Sequence, residues 1–202
     1  EVLVPSLTFI APINAIKYCD AYPVFFDSDD HFNIDPEKTI NFLNNNTYQK
    51  NGYTYNKKTK RRIKSIIIVH VWGNASNILN LIKECKNKNI KIIEDSSESL
   101  GTYYNSKKLN KKYTGTLGDI GCFSFNGNKI ITSGGGGMIV TNNKSYFIKA
   151  KYLSNQSKDN ELTYSHHNIG YNYNLSNLNA AVGYAQCLNL KKIIKLKKNV
   201  RE

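Results

Sequence analysis

Apolar residues in this chain form short runs separated by polar stretches rich in lysine and asparagine. Residues 65–71 are almost entirely apolar, which is typical of a strand covered on both faces. Residues 74–88 then place apolar side chains at helical spacing, and a second buried strand follows at 91–95. Strand, helix and strand in this order predict a parallel pair with a right-handed crossover.

The other elements follow from the same kinds of pattern. Asp35 as N-cap and Pro36 in the first turn predict a helix start. Residues 44–62 lack a clear period and predict an exposed connection with a loose hairpin around Gly52. Further strands are predicted at residues 1–9 and 23–27, and helices at 11–18, 142–153 and 175–202. The last of these helices is expected to bury a stripe made of Leu178, Ala181, Val182, Ala185 and Leu188.

The segment 121–141 reads as an apolar strand, a polar turn that carries Lys129, four consecutive glycines and a second apolar strand. The residues Asn126, Gly127 and Asn128 break regular structure and present Lys129 outside the sheet. A lysine presented in this way is a candidate Schiff-base amine. The alternative is a solvated surface lysine in a flexible hairpin, since the chain contains many lysines.

A second candidate group lies at the end of the strand 91–95. Asp95 ends this strand, and the carboxyl ends of strands in open α/β sheets are where ligands bind. A carboxylate there could keep the pyridine nitrogen of pyridoxal phosphate protonated, which makes the ring withdraw electrons from a carbanion. The alternative is that Asp95 caps the following turn.

Several segments in one order resemble the DegT/DnrJ/StrS-type family of sugar-nucleotide aminotransferases, which depend on pyridoxal 5'-phosphate (PLP). Together these segments cover nearly the whole chain, and several motifs in order are more specific than any one of them. The turn around Lys129 and the unbroken glycines are most similar to the branch that acts on UDP-linked N-acetyl sugars. The matching segments are residues 4–11, 22–27, 92–101, 118–125, 128–129, the glycine run and 170–181.

The resemblance implies a fold and a role for individual residues. The fold is that of PLP-dependent transferases of type I (aspartate aminotransferase-like), α/β in three layers with a mostly parallel mixed sheet. Lys129 would carry the cofactor, and Asp95 would pair with its ring nitrogen. Phe9 would stack on the cofactor ring, and Glu98 would lie beside the ring oxygen. Ser124 would contact the cofactor phosphate, and Asn172 would contact the cofactor phosphate of the neighbouring subunit.

The resemblance also implies substrates, partners and limits of the domain. Glutamate would donate an amino group to the 4-keto group of a nucleotide-activated 4-keto-6-deoxy sugar, in the synthesis of surface polysaccharide or glycan. The expected working unit is a homodimer with shared active sites. Residues 1–202 would form a partial PLP-binding large domain, which lacks an N-terminal segment and a small C-terminal domain to which the final helix leads.

Composition adds three expectations. The formal net charge is +13, but the basic residues are scattered among asparagine, isoleucine and tyrosine, so no nucleic-acid partner is expected. The four cysteines are far apart and show no metal-ligand spacing, which predicts no metal and a reducing cytoplasm. No apolar run approaches the length of a membrane span, so no membrane partner is expected.

Two other functions stay open at this point. One is a PLP-binding relative with a regulatory role and no turnover, although Lys129, Asp95, Ser124 and Asn172 are all present. The other is a basic nucleic-acid-binding domain, which would bind in a salt-sensitive way but leaves the lysine and aspartate motifs unexplained.

Overall fold

The computed structural model describes residues 1–105, 109, 111–160 and 162–201. These residues fall into two compact units, Glu1–Cys122 and Phe123–Glu202. The strands are β1 (Val2–Pro5), β2 (Pro23–Phe26), β3 (Thr47–Lys50), β4 (Tyr53–Asn56), β5 (Arg62–Ile63), β6 (Ser65–Val69), β7 (Lys91–Asp95), β8 (Ile120–Ser124) and β9 (Gly137–Val140). The helices are α1 (Ile10–Tyr18), α2 (Pro36–Asn45), α3 (Leu79–Asn87), α4 (Lys144–Ser154), α5 (Asn177–Leu188) and α6 (Leu190–Arg201).

The first unit is built on a parallel sheet in the order β2-β1-β6-β7-β8. Strand β6 shows why the sheet has helices on both faces. Its residues Ile66 and Ile68 belong to one apolar core, whereas Ile67 and Val69 belong to another. Full burial of one such side chain is worth about 1.5–3 kcal/mol, so both faces must be covered.

Helices cover the two faces of this sheet unequally. Leu43 of α2 and Leu81 of α3 are fully buried in the larger core. Ile16 of α1 lies in the smaller core on the other face. The predicted α/β fold with three layers is therefore confirmed, and the helix start at Asp35 is confirmed because its Oδ1 accepts from Glu37 N and Lys38 N, each at 2.9 Å.

Two predicted boundaries in the first unit are wrong. The predicted hairpin around Gly52 is confirmed, but the segment 44–62 is more than an exposed connection, because β3, β4 and β5 form a second, antiparallel sheet. Thr54 in this sheet is fully buried and donates to Lys88 O at 2.6 Å. Helix α3 begins at Leu79 rather than near residue 74, since Ser76 is engaged by strand β6, through its hydroxyl on Val69 O at 3.2 Å.

The second unit contains the end of β8, strand β9 beside it, and helices α4, α5 and α6. The predicted single helix 175–202 is two helices separated at Asn189, whose side chain donates to Ala185 O at 3.0 Å. Glu202 lies outside the described residues. The predicted stripe is not buried, because Leu178 is 82% exposed and Val182 and Leu188 are also exposed. In the described residues, the apolar face of α5 is thus open.

Candidate active site

The carboxyl ends of the parallel strands in the first unit meet at one edge of the sheet. Strand β1 leads to Phe9, strand β6 leads to Trp72, and strand β7 ends at Asp95. Open α/β sheets bind ligands outside this edge. The structure therefore brings three predicted site residues, Phe9, Asp95 and Glu98, to the edge where a ligand is expected.

Asp95 is the last residue of β7 and is fixed on both sides. It lies opposite Val69 of β6 and Cys122 of β8. Its carboxylate Oδ1 accepts a hydrogen bond from Ser97 N at 3.0 Å, so the turn-capping role is real. The same half-buried carboxylate stands at the ligand edge, and the two roles are compatible because a carboxylate has two acceptor oxygens.

Phe9 lies on the turn after β1, and Glu98 lies on the turn after β7. Phe9 is the N-cap residue of α1 and is 76% exposed, so its ring is not part of the core. Glu98 accepts a hydrogen bond from Trp72 N at 2.7 Å. Two buried hydroxyls nearby in sequence, Thr8 Oγ1 and Ser96 Oγ, have no hydrogen-bond partner in the described part of the chain. Buried hydroxyls without a partner are costly, and a bound ligand is one way to supply the missing partner.

Glu94 is adjacent to Asp95 but points to the opposite face of the strand, where it is fully buried. Its Oε2 accepts from His70 Nε2 at 3.0 Å and from Gly115 N at 2.9 Å. Its Oε1 accepts from Leu117 N and Gly118 N, each at 2.6 Å. Each of the two carboxylate oxygens therefore accepts two hydrogen bonds.

The histidine in this network has a defined tautomer. His70 Nδ1 accepts a hydrogen bond from Ser76 N at 3.2 Å, so the ring proton lies on Nε2 and is donated to Glu94. Burial would raise the pKa of Glu94, but the hydrogen bonds from His70, Gly118 and Gly115 outweigh it and hold this pKa below its usual value.

The Glu94 network fixes the loop that leads into β8. The loop passes so close that a Cβ atom on Gly121 would lie 1.9 Å from Gly115 O. His70 is fully buried. Its pairing with Glu94 could not be seen in the sequence, because the two residues are 24 positions apart and no spacing rule links them.

In the second unit, Ser124 and Lys129 lie on one turn. Asn126 N donates to Ser124 Oγ at 3.3 Å, and Lys129 N donates to Asn126 O at 3.1 Å. The segment closes on itself at Phe125, whose carbonyl accepts from Ser133 N at 3.0 Å. Lys129 is half-buried. The role of Lys129 as a Schiff-base amine stays a prediction.

The glycines after this turn are required by the backbone. Gly136 has φ +84°, and a Cβ there would lie 2.5 Å from Leu175 Cδ1. A Cβ on Gly137 would lie 2.4 Å from Phe123 O. A larger residue at Gly137 would therefore push β9 away from β8, whereas one at Gly136 would adopt an unfavourable φ and displace the Leu175 side chain.

Asn172 lies on an exposed, extended segment and not in a turn. It forms an isolated bridge with Asn155 at the end of α4, and Tyr173 N donates to Ser154 O at 3.0 Å. The rings of Tyr171 and Tyr173 on either side are stacked, with centroids 5.0 Å apart. The segment is therefore held in shape, and the phosphate role of Asn172 stays a prediction.

The residues present fit PLP by the chemistry that each offers. At the edge of the first unit, Asp95 supplies a carboxylate for a protonated ring nitrogen, and Phe9 an exposed aromatic face. On the turn of the second unit, Lys129 supplies an amine and Ser124 a hydroxyl suited to a phosphate. Among the described residues, no group of three or more His, Cys, Asp or Glu could hold a metal ion.

The fold and these side chains define the class of PLP-dependent transferases with the type I fold. The chain matches the DegT/DnrJ/EryC1/StrS aminotransferase family over residues 1–202. It belongs to this family, whose members depend on PLP.

Two curated relatives and one solved structure illustrate the match. GDP-perosamine synthase from Escherichia coli O157:H7 is 37% identical over 202 residues, which are 100% of this chain and 50% of that protein. A UDP-4-amino-4,6-dideoxy-N-acetyl-beta-L-altrosamine transaminase from Campylobacter jejuni is 32% identical over 95% of this chain and 46% of its own length. A DegT DnrJ EryC1 StrS aminotransferase structure from Brucella abortus has a TM-score of 0.79 at 26% identity, with 95% of this chain and 48% of that chain covered. The chain spans about half the length of the curated relatives that it matches.

Proposed function

We propose that the protein is a PLP-dependent aminotransferase that transfers the amino group of glutamate to the 4-keto group of a nucleotide-activated 4-keto-6-deoxy sugar. The observation that carries this proposal is the family match over all 202 residues, with an amine at Lys129 and an acid at Asp95. The product would enter the synthesis of surface polysaccharide or glycan.

Each site residue has a distinct task in this reaction. PLP supplies an electron sink that stabilises negative charge at the carbon bearing the amino group. Lys129 Nζ would hold the cofactor through its aldehyde group and, once freed by the amino donor, would move a proton at that carbon. Asp95 would hold a proton on the ring nitrogen, and Phe9 would cover the ring face against water. Ser124 would donate to the phosphate, and Glu98 would lie beside the ring oxygen.

Replacing Asp95 by asparagine is expected to reduce kcat by about 10²- to 10³-fold, the usual cost of losing one electrostatic contact to the reacting system. The amide oxygen can still accept from Ser97 N, so the turn and the fold stay intact while the charge is lost. The measurement is steady-state kinetics of the full-length protein. Asp20→Asn is the matched control, because Asp20 is exposed after α1 and should leave kcat unchanged.

The proposal is tested by reducing the full-length protein with borohydride in the presence of PLP and mapping the labelled peptide. Label at Lys129, together with 2-oxoglutarate release from glutamate, supports it. Label at another lysine refutes the assignment of Lys129.

A narrower part of the proposal is which nucleotide the sugar substrate carries. The sequence alone predicts a UDP-linked N-acetyl sugar, whereas GDP-perosamine synthases from Escherichia coli and Vibrio cholerae are 37% and 36% identical to this chain. The UDP-sugar transaminase from Campylobacter jejuni is 32% identical. We therefore propose a 4-keto-6-deoxy sugar linked to GDP or UDP, and a panel that contains both, with a dTDP-linked sugar, would choose between them by kcat/KM.

A homodimer with shared active sites is part of the same proposal. Asn172 lies on an exposed segment from which it could contact the cofactor phosphate of a neighbouring subunit. The open apolar face of α5, with Leu178, Val182 and Leu188, supports a covered surface in the whole protein.

The cytoplasm is the proposed location, because Cys19, Cys85, Cys122 and Cys187 are all unpaired. In the described part of the chain, no helix is long and apolar enough to cross a membrane.

A second candidate function is a regulatory relative that binds PLP without turnover. One relative, a pleiotropic regulatory protein from Geobacillus stearothermophilus, is 30% identical over 90% of this chain. Glutamate separates the two candidates, since an aminotransferase converts its bound cofactor to the amine form with a change in absorbance and a silent relative does not.

A further inference from the structure

Phe32 and Trp72 form a pair of exposed aromatic side chains at the ligand edge of the first unit. Their ring centroids are 5.0 Å apart at an interplanar angle of 60°. Phe32 is 47% exposed and Trp72 is 66% exposed. We call this pair the aromatic platform. Adjacent exposed aromatic side chains at an edge that binds ligands are candidates for contact with the ligand.

Both residues of the aromatic platform have left-handed backbones. Phe32 has φ 65°, and Trp72 has φ 52° and ψ 24°. This conformation costs a bulky residue of order 1 kcal/mol and is found mainly where the surroundings enforce it, often at functional sites. Both exposed rings are therefore carried by a backbone conformation that bulky residues rarely adopt.

Buried and half-buried polar groups enforce this conformation. Asn33, which is 1% exposed, accepts from Val71 N at 3.0 Å and so ties the loop after β2 to the loop after β6. Glu98 accepts from Trp72 N at 2.7 Å, a short hydrogen bond to a charged group. Thr102 Oγ1 donates to Gly73 O at 2.9 Å. The aromatic platform is thus held rigid before any ligand arrives.

The position of the aromatic platform separates it from the cofactor roles already assigned. Glu98 follows Asp95 by three residues, and its carboxylate contacts the backbone of Trp72. The aromatic platform therefore borders the place proposed for the cofactor ring, without supplying a charged group of its own. A substrate whose reacting carbon is at the cofactor would extend its more distant part toward this border.

We propose that the aromatic platform binds the nucleobase of the nucleotide-linked sugar, with the base stacked on the indole ring of Trp72. This inference rests on the proposed function and names the part of the protein that recognises the nucleotide. A base is flat, aromatic and largely uncharged, so it matches an exposed indole better than a sugar or a diphosphate does. Trp72 and Phe32 are then nucleotide-binding residues and not catalytic ones.

The test uses the full-length protein with saturating glutamate and a nucleotide-linked 4-keto sugar that it turns over. Trp72→Ala is expected to raise KM for the sugar nucleotide about 10- to 100-fold, which is the usual effect of losing one stacking partner. The kcat should stay within about threefold, and the absorbance change on mixing the PLP form with glutamate should be unaltered. Phe32→Ala should raise KM by a smaller factor.

Two further variants make the result specific. Tyr18→Ala is the matched control, because Tyr18 is 74% exposed at the end of α1, away from the ligand edge, and its loss should leave KM unchanged. Trp72→Phe retains a stacking ring and should keep KM within about fivefold of the native value. Trp72 is the one tryptophan among the 202 residues. A nucleoside diphosphate alone should therefore quench a fluorescence component that Trp72→Phe lacks.

The outcomes separate this proposal from the proposed function. If native protein transaminates but Trp72→Ala has an unchanged KM, the aromatic platform does not bind the nucleotide. The proposal is equally overturned if Trp72→Ala dissociates the dimer, or if nucleoside diphosphate does not quench the Trp72 component. If borohydride labels no lysine and glutamate produces no absorbance change, the proposed function itself fails.

Discussion

Under the proposed function, replacing Lys129 by alanine is expected to abolish transamination, with a loss of at least about 10³-fold in kcat, because the same amine would bind the cofactor and move the proton. The turn around Lys129 is closed by backbone hydrogen bonds from Lys129 N to Asn126 O and from Ser133 N to Phe125 O. Removing the side chain therefore leaves the turn in place. The measurement is 2-oxoglutarate formation by full-length protein saturated with PLP.

Two matched variants define this result. Lys129→Arg keeps the positive charge but offers a guanidinium that does not form the covalent link at neutral pH, so it should be as inactive as the alanine variant. Lys144→Ala removes an exposed lysine at the start of α4 and should retain native activity. Native activity in Lys129→Arg would show that charge alone is needed at this position.

Replacing Glu94 by glutamine is expected to lower the free energy of unfolding by about 2–4 kcal/mol, although no cofactor role is proposed for this residue. The native carboxylate accepts four hydrogen bonds, two on each oxygen. An amide has one oxygen, so its NH₂ group would face two buried N–H donors. The measurement is the urea midpoint of the full-length protein, with Glu37→Gln, an exposed position in α2, expected to change stability by less than about 0.5 kcal/mol.

The pH dependence of this difference has a definite sign. The pKa of Glu94 in the folded protein is held below its usual value, which is about 4.3 in an unfolded chain. The stabilisation is therefore fully present above that unfolded value and is lost as the pH falls through the folded pKa. The gap in stability between native protein and Glu94→Gln should narrow in acid. A gap that widens in acid would contradict the network described for Glu94.

The parts of the fold that depend on local pattern could be predicted from the sequence. The apolar run of β6 required cover on both faces, and Ile66 and Ile67 lie in two different cores. The helix start at Asp35 was also visible, because capping needs only the next few residues. By contrast, only the hairpin around Gly52 was predicted in the segment 44–62, because β3 and β4 consist of tyrosine and polar residues and β5 has only two residues.

The candidate site also has features that could be predicted from the sequence and features that could not. The turn that presents Lys129 and the strand that ends at Asp95 are short segments with clear signals. The Glu94–His70 pair depends on contacts between distant parts of the chain, which a single sequence does not display. The left-handed backbone of Trp72 is likewise imposed by Glu98 and not by local preference. Such imposed conformations are where local rules are expected to fail.

The cysteines give the protein a built-in selectivity toward thiol reagents. Burial, with a smaller effect of nearby carboxylates, raises the pKa of Cys85 to about 12 and that of Cys122 to about 11. Since the thiolate is the reactive form, maleimides at neutral pH should react only slowly with both cysteines. Cys19 and Cys187 are exposed, one in each compact unit. A pair of dyes could therefore be attached to the two units without changing the sheet or the turn that carries Lys129.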